Sequence, residues 1–219
     1  MRAIIPAYNE ALTIAGVVEP LLRAGCFDEV IVVDDGSTDR TSAVAHQAGA
    51  TVVRTPSNRG KGGAMLFGVR QCCDSDEDVA FFDADLIGLR PEHAHRLLDG
   101  AAQGYDMVCG LRDKGSVQNI LQLGFSPVIT GERVLRRWVL DELPMSCWSG
   151  FSIETAMNDV VHRHGGKTAL VFLPGVSMRT KSQKTGLVRG LSDHWRMARQ
   201  IIQTRHALRR SGGGTCQLP

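Results

Sequence analysis

The sequence predicts an α/β fold, a single domain built on a mostly parallel sheet with helices on both faces. Short apolar runs alternate with stretches of helical spacing through the first 112 residues, the pattern of repeated strand–helix–strand units. Polar clusters close four of these runs in succession. One run, Val79-Ala80-Phe81-Phe82, stops on two acids one residue apart, Asp83 and Asp85. Ligands of open α/β sheets sit outside the carboxyl ends of the strands, so the same features that predict the fold also predict where its chemistry lies.

In order, residues 2–6 read as a first buried strand, stopped by Pro6. Residues 9–24 carry Leu12, Ile14, Val17, Val18, Leu21 and Leu22 at helical intervals. Residues 29–33 form the second strand, and the cluster Asp34 to Asp39 is loop chemistry, with Thr38 or Asp39 available to cap a helix over 40–48. Gly49 is a natural end for that helix. A third strand over 51–54 leads through a glycine-rich loop into a helix over about 61–72. Then come the strand 78–82, a helix opening at Pro91 in a favoured first position, and a fifth strand over 105–109. Beyond Arg112 the alternation blurs. Residues 131–143 and 154–164 read as helical, 170–173 as a strand, and the glycine-rich end 211–219 as disordered.

Composition sets the class. The 219 residues are 43% hydrophobic and 22% charged with a formal net charge of +2, as in ordinary globular proteins. Charge is unevenly spread: between Arg179 and Arg210 there are nine Lys or Arg and one acid, Asp193. The six cysteines form no CxxC pair and no metal spacing. Cys26, Cys109 and Cys147 sit among apolar residues and read as core, and adjacent Cys72 and Cys73 are poor disulfide partners. A reducing cytoplasm is the expected compartment. No apolar run approaches the roughly 20 residues that span a bilayer, and with a strand-like run at the start no signal peptide is expected.

The strand-end clusters are Tyr8-Asn9-Glu10, Asp34 to Asp39, Asn58 to Gly63, and Asp83 to Asp85. In a parallel sheet they line one crevice. Gly60-Lys61-Gly62-Gly63 enters a helix, where free backbone N–H groups favour an anion. It is not a P-loop, because Gly-Lys is followed by Gly and not by Ser or Thr. Two carboxylates with little other protein help suit Mg²⁺ or Mn²⁺ when diphosphate oxygens complete the shell.

The four clusters, in this order, resemble family-2 glycosyltransferases of the GT-A fold, in the stretches Pro6 to Glu10, Val33 to Asp39, Arg59 to Ala64 and Phe82 to Asp85. The resemblance implies a GT-A-like single domain on a Rossmann-like sheet. It also implies sugar transfer from a nucleotide-diphosphate sugar, UDP- or GDP-linked. By that match Pro6, Tyr8, Glu10 and Asp35 would hold the nucleoside and Asp34 would shape the turn. Asp83, Ala84 and Asp85 would bind ribose and the metal, with Asp83 and Asp85 as its ligands. Lys61 and Arg112 would stand near the diphosphate. Residues 1–112 would form the donor half, and 113–190 the acceptor half of the same domain.

The second half resembles two subgroups. Thr130-Gly131-Glu132-Arg133, with Arg179 and Lys184, is similar to dolichol-phosphate mannose synthase-like enzymes. Pro127 to Glu132 and Gly150 to Glu154 are similar to glucosyl-3-phosphoglycerate synthase-like enzymes, in which Glu154 would be the acceptor-side carboxylate. Both imply a phosphorylated acceptor, a polyprenyl phosphate or a small soluble phosphate such as phosphoglycerate. Two departures stand out. Ile87 and Met178 occupy positions where the family often supplies further metal ligands. A non-catalytic nucleotide-sugar binder is the alternative those departures favour.

Residues 191–210 interleave Trp195, Met197, Ile201, Ile202 and Leu208 with five arginines. The pattern suits an interfacial helix on anionic lipid or a helix packed on the sheet with a basic outer face. Peripheral contact with the inner membrane face is expected in the first case, and nucleic acid is not an expected partner.

Overall fold

A computed structural model describes residues 1–113, 130–148 and 153–179. Lys184, the basic segment 191–210 and the glycine-rich end 211–219 lie outside the described residues. The strands are β1 Arg2–Ala7, β2 Glu29–Asp34, β3 Thr51–Arg54, β4 Val79–Phe81, β5 Leu86–Ile87, β6 Met107–Arg112, β7 Arg133–Leu135, β8 Thr168–Leu173 and β9 Ser177–Met178. The helices are α1 Ile14–Ala24, α2 Thr41–Gln47, α3 Gly60–Cys72, α4 Pro91–Ala102, α5 Arg137–Asp141 and α6 Ile153–Arg163, with a 3₁₀ turn over Met145–Trp148.

Seven strands form one sheet in the order β3-β2-β1-β4-β7-β6-β8. All run parallel except β7, which is antiparallel to both β4 and β6. The central strands are apolar without interruption because both faces are covered. Ala3, Ile5, Val30 and Val32 face the core beneath α1, α2 and α4. Their alternates Ile4, Ile31 and Val33 face a second core that includes side chains of α3, α5 and α6. Period-2 alternation thus divides each strand between two cores.

Most predicted elements lie where expected, with shifted ends. The first helix begins only at Ile14, because residues 8–13 form a loop in which Asn9 takes φ 57°. It ends at Gly25, in the left-handed conformation that glycine adopts without strain. The fifth strand runs over Met107–Arg112, so Arg112 is its last residue rather than a loop residue beyond it. One expectation is overturned: 131–143 is not a helix. Arg133-Val134-Leu135 is fully buried and fills the slot between β4 and β6, and only Arg137–Asp141 is helical. Tertiary pairing overrides local helical spacing there.

Cys109 and Cys147 are buried, as read from sequence, whereas Cys26 is only half-buried. Among the described residues all cysteines are free thiols. Burial raises the pKa of each, that of Cys73 to about 12. None has the lowered pKa of a nucleophilic thiolate.

Candidate active site

Because β1 to β4 and β6 run the same way, their carboxyl ends open on one crevice, as the sequence predicts. The end of β1 is fastened to the loop after β2. Asn9 Oδ1 accepts from the Thr38 amide at 2.8 Å, Ser37 Oγ accepts from the Asn9 amide at 2.9 Å, and Thr41 Oγ1 accepts from the Glu10 amide at 2.9 Å. Tyr8 is left exposed at the rim and Pro6 half-buried behind it. Glu10 accepts from Thr13 Oγ1 at 3.1 Å.

Asp34 and Asp35 are both buried and differ in task. Asp34 accepts from the Ser37 amide at 2.7 Å, from Arg54 at 3.1 Å and from Ser42 Oγ, so it closes the turn. Asp35 reaches the start of α3, accepting from the Arg59 amide at 2.9 Å, the Gly60 amide at 2.8 Å and Thr55 Oγ1 at 2.9 Å. A carboxylate on the first-turn amides stabilises a helix by satisfying orphan donors at its positive end. In this way Asp35 fixes the helix that carries Lys61.

Lys61 projects from the first turn of α3 to the centre of the crevice. Its Nζ lies 2.6 Å from Asp83 Oδ1 and 2.6 Å from Glu154 Oε1. Asp83 follows β4, and Glu154 stands in the first turn of α6. The other Asp83 oxygen, Oδ2, lies 3.5 Å from Arg112 NH1. Arg112 also places its Nε 3.6 Å from Glu132 Oε2 and touches Met178 Sδ with NH1. Five segments therefore deliver one series of alternating acidic and basic groups: Glu154, Lys61, Asp83, Arg112, Glu132.

The series is largely withdrawn from water, with side-chain exposures of 22% for Lys61, 13% for Asp83, 11% for Arg112 and 7% for Glu154. Burial works against the Lys61 charge, but Asp83 and Glu154 outweigh it and its pKa is raised. Burial also opposes the Asp83 charge, and Lys61 and Arg112 reverse that, so its pKa is lowered. Glu132 goes the other way. Burial first, then the charge of Asp83, raises its pKa.

Glycine makes the close approach possible. A Cβ on Gly131 would lie 2.1–2.3 Å from the Asp83 carboxylate atoms, and one on Gly62 would lie 2.4 Å from the Trp148 carbonyl oxygen. Gly131 and Gly62 thus allow the β7 approach and the 3₁₀ turn to press against the site.

Asp83 and Asp85 offer the hard oxygen donors that Mg²⁺ or Mn²⁺ prefers. Ala84 between them is buried. Among the described residues no three His, Cys, Asp or Glu side chains gather closely enough to hold a metal. Such a donor set fits an ion that keeps waters and takes diphosphate oxygens, not one caged by protein alone. Leu86 pairs with Met178 and Ile87 with Ser177 in the small β5–β9 sheet. The two departures noted in sequence therefore lie together beside the acid pair. Arg179 joins them through its backbone, its amide donating to the Asp85 carbonyl at 3.1 Å.

Glu132 and Arg133 enter the sequence reading only as members of the motifs Thr130 to Arg133 and Pro127 to Glu132, with no role assigned, and Asn158 does not enter it. Arg133 is buried and donates to the Thr130 carbonyl at 2.7 Å and Asn158 Oδ1 at 2.7 Å. The available signal was two adjacent charged residues in an apolar stretch, which read as surface until strand pairing is known.

The chain resembles known proteins in sequence and in structure. Residues 3–148 match the family model described as Glycosyl transferase family 2. Glucosyl-3-phosphoglycerate synthase of Mycolicibacterium smegmatis is 28% identical over 100% of this chain and 81% of its own length. Undecaprenyl-phosphate 4-deoxy-4-formamido-L-arabinose transferase of Pseudomonas paraeruginosa is 38% identical over 52% of this chain and 35% of its own length. The crystal structure of glucosyl-3-phosphoglycerate synthase from Mycobacterium tuberculosis with Mn²⁺, UDP and phosphoglyceric acid superposes with a TM-score of 0.77. It is 26% identical, with 94% of this chain and 77% of that one covered. Several curated relatives are much longer, the chain spanning 49%, 59% and 35% of three of them. The sheet order, the carboxyl-edge crevice and these matches agree: the fold is GT-A, and the chain belongs to glycosyl transferase family 2.

Proposed function

We propose that the chain transfers a sugar from a nucleotide-diphosphate sugar to a phosphorylated acceptor, with Mg²⁺ or Mn²⁺ bound beside the diphosphate. The observation that carries this reading is the meeting of Lys61, Asp83, Glu154 and Arg112 at the carboxyl edge of the sheet. Pro6, Tyr8, Glu10 and Asp35 would hold the nucleoside, with Asp34 closing the turn beside them. Asp83 and Asp85 would hold the cation, which supplies positive charge to the diphosphate when bound.

In the transfer, an acceptor oxygen forms a bond to the anomeric carbon as the bond from that carbon to the diphosphate breaks. The electron pair of the broken bond leaves on the diphosphate, and Lys61 and Arg112 stabilise the charge that develops there. A phosphate acceptor attacks already ionised and needs no base. A hydroxyl acceptor must lose its proton, and Glu154, held by Lys61, is the carboxylate placed to receive it.

Matches over most of the chain to a synthase crystallised with phosphoglyceric acid support a small soluble phosphorylated acceptor. The undecaprenyl-phosphate transferase favours a second reading, a polyprenyl phosphate. No helix among the described residues is long and apolar enough to cross a membrane. The test is to incubate the protein with UDP- and GDP-hexoses, Mn²⁺ and either phosphoglycerate or a short polyprenyl phosphate, with products read by mass spectrometry. Transfer to one acceptor, reduced at least about a hundredfold in Asp85→Ala, is expected. Equal turnover in that variant would refute the proposal.

A further inference from the structure

Glu132 is fully buried beside the donor crevice and has no part in the transfer just proposed. Its hydrogen-bond surroundings bear on its protonation state. Thr130 Oγ1 lies 2.8 Å from the Gly110 carbonyl oxygen and is also hydrogen-bonded to Glu132 Oε2. A carbonyl can only accept, and a threonine hydroxyl has one proton to give. A neutral Glu132 satisfies both contacts at once, Thr130 giving its proton to the Gly110 carbonyl and the acid giving its own to Thr130.

Two further observations agree. Glu132 Oε1 is buried with no hydrogen-bond partner among the described residues, which is far costlier for a carboxylate than for a neutral acid. Burial and the charge of Asp83 both push its pKa up, with Arg112, Thr130 and Lys61 acting in the opposite sense.

The acid is also locked to the strand that carries Arg112. The Gly110 amide donates to the Glu132 carbonyl at 2.8 Å, and a Cβ on Gly110 would lie 3.0 Å from Glu132 Cβ. Arg112 is two residues further along that strand, its Nε 3.6 Å from Glu132 Oε2. An ionised carboxylate there would compete with Asp83 and with any diphosphate for the guanidinium. A neutral one can hold the Nε side without cancelling its charge.

We propose that Glu132 is an uncharged positioning residue that aims Arg112 at the donor's diphosphate. The inference rests on the proposed function for its target, but not for its proton. Two measurements on the whole chain test it. In the infrared difference between wild type and Glu132→Gln at pH 7.5, the carbonyl band of an undissociated carboxylic acid is expected in the wild type alone. In calorimetry with UDP and Mn²⁺, Glu132→Ala should bind about tenfold more weakly than wild type, and Glu132→Gln, neutral and of the same shape, should restore affinity to within about twofold. An absent band overturns the uncharged state. Equal weakening in the Gln and Ala variants, or no weakening in Ala, overturns the positioning role. Should the Ala variant fail to fold, loss of affinity in Gln alone overturns that role and retention supports it. If the wild type binds no nucleoside diphosphate, the proposed function and the aim of Arg112 both fall, while the band still decides the proton.

Discussion

Lys61 Nζ and Glu154 Oε1 meet at 2.6 Å across the crevice, although 93 residues separate them in the chain. Each comes from the first turn of its helix, and each helix covers the same face of the sheet. The contact ties the start of α3 to the start of α6. The same ammonium serves Asp83, so one side chain neutralises two acids that would otherwise repel.

Removing that ammonium should be costly. Lys61→Met leaves Asp83 and Glu154 facing each other in a largely dry site. Breaking a buried pair costs about 3–5 kcal/mol, and the partial exposure of Lys61 reduces this to roughly 1–3 kcal/mol. Urea unfolding of the two proteins checks it. Sugar transfer should fall by at least about a hundredfold, because the leaving diphosphate loses a charge partner.

Gly131→Ala should damage the site more than the fold. Its methyl group would lie 2.1–2.3 Å from the Asp83 carboxylate, forcing either the acid or the β7 approach to move. Overpacking of this kind costs about 1–3 kcal/mol. Transfer should drop by more than tenfold, since displaced catalytic groups lose far more than displaced packing. Gly104→Ala is the wrong control because of its positive φ, whereas Gly16→Ala meets nothing within 4 Å and should leave activity unchanged.

Stability should depend on pH through Glu132. Its folded pKa is raised above its unfolded one, so its contribution is complete below the ordinary glutamate range and is lost as pH rises through the folded value. Glu132→Gln carries no ionisable proton. Melting temperature should therefore gain a few degrees over wild type at pH 8 and change little at pH 4. A uniform shift at both pH values would point to packing instead.

How much of this was legible in the sequence follows from which forces act locally. β1, β2 and β4 could be read because both their faces are buried, which leaves an unbroken apolar run. The acids at their ends could be read because they interrupt those runs abruptly. β7 could not, since three residues beginning with an arginine carry no strand period, and the strand exists only because β4 and β6 leave a slot for it. The burial of Glu132 and Arg133 was hidden for the same reason. Charged residues are buried only with partners, and theirs come from β6 and α6, far away in the chain. Lys61 was legible as a basic residue at a helix entry, but its link to Glu154 depends on how two helices pack.

The central claim, that this crevice binds a nucleotide-diphosphate sugar through the Asp83–Asp85 corner, is tested most directly by thermal unfolding with UDP, GDP and dTDP, each with and without Mn²⁺. Mn²⁺ alone should shift the melting temperature little, because both Asp83 oxygens already face Lys61 and Arg112. One nucleotide with Mn²⁺ should raise it by several degrees, corresponding to about 2.7 kcal/mol at a hundred times the dissociation constant. Asp85→Ala should abolish that rise. No shift with any nucleotide, or the same shift in Asp85→Ala, would contradict the account.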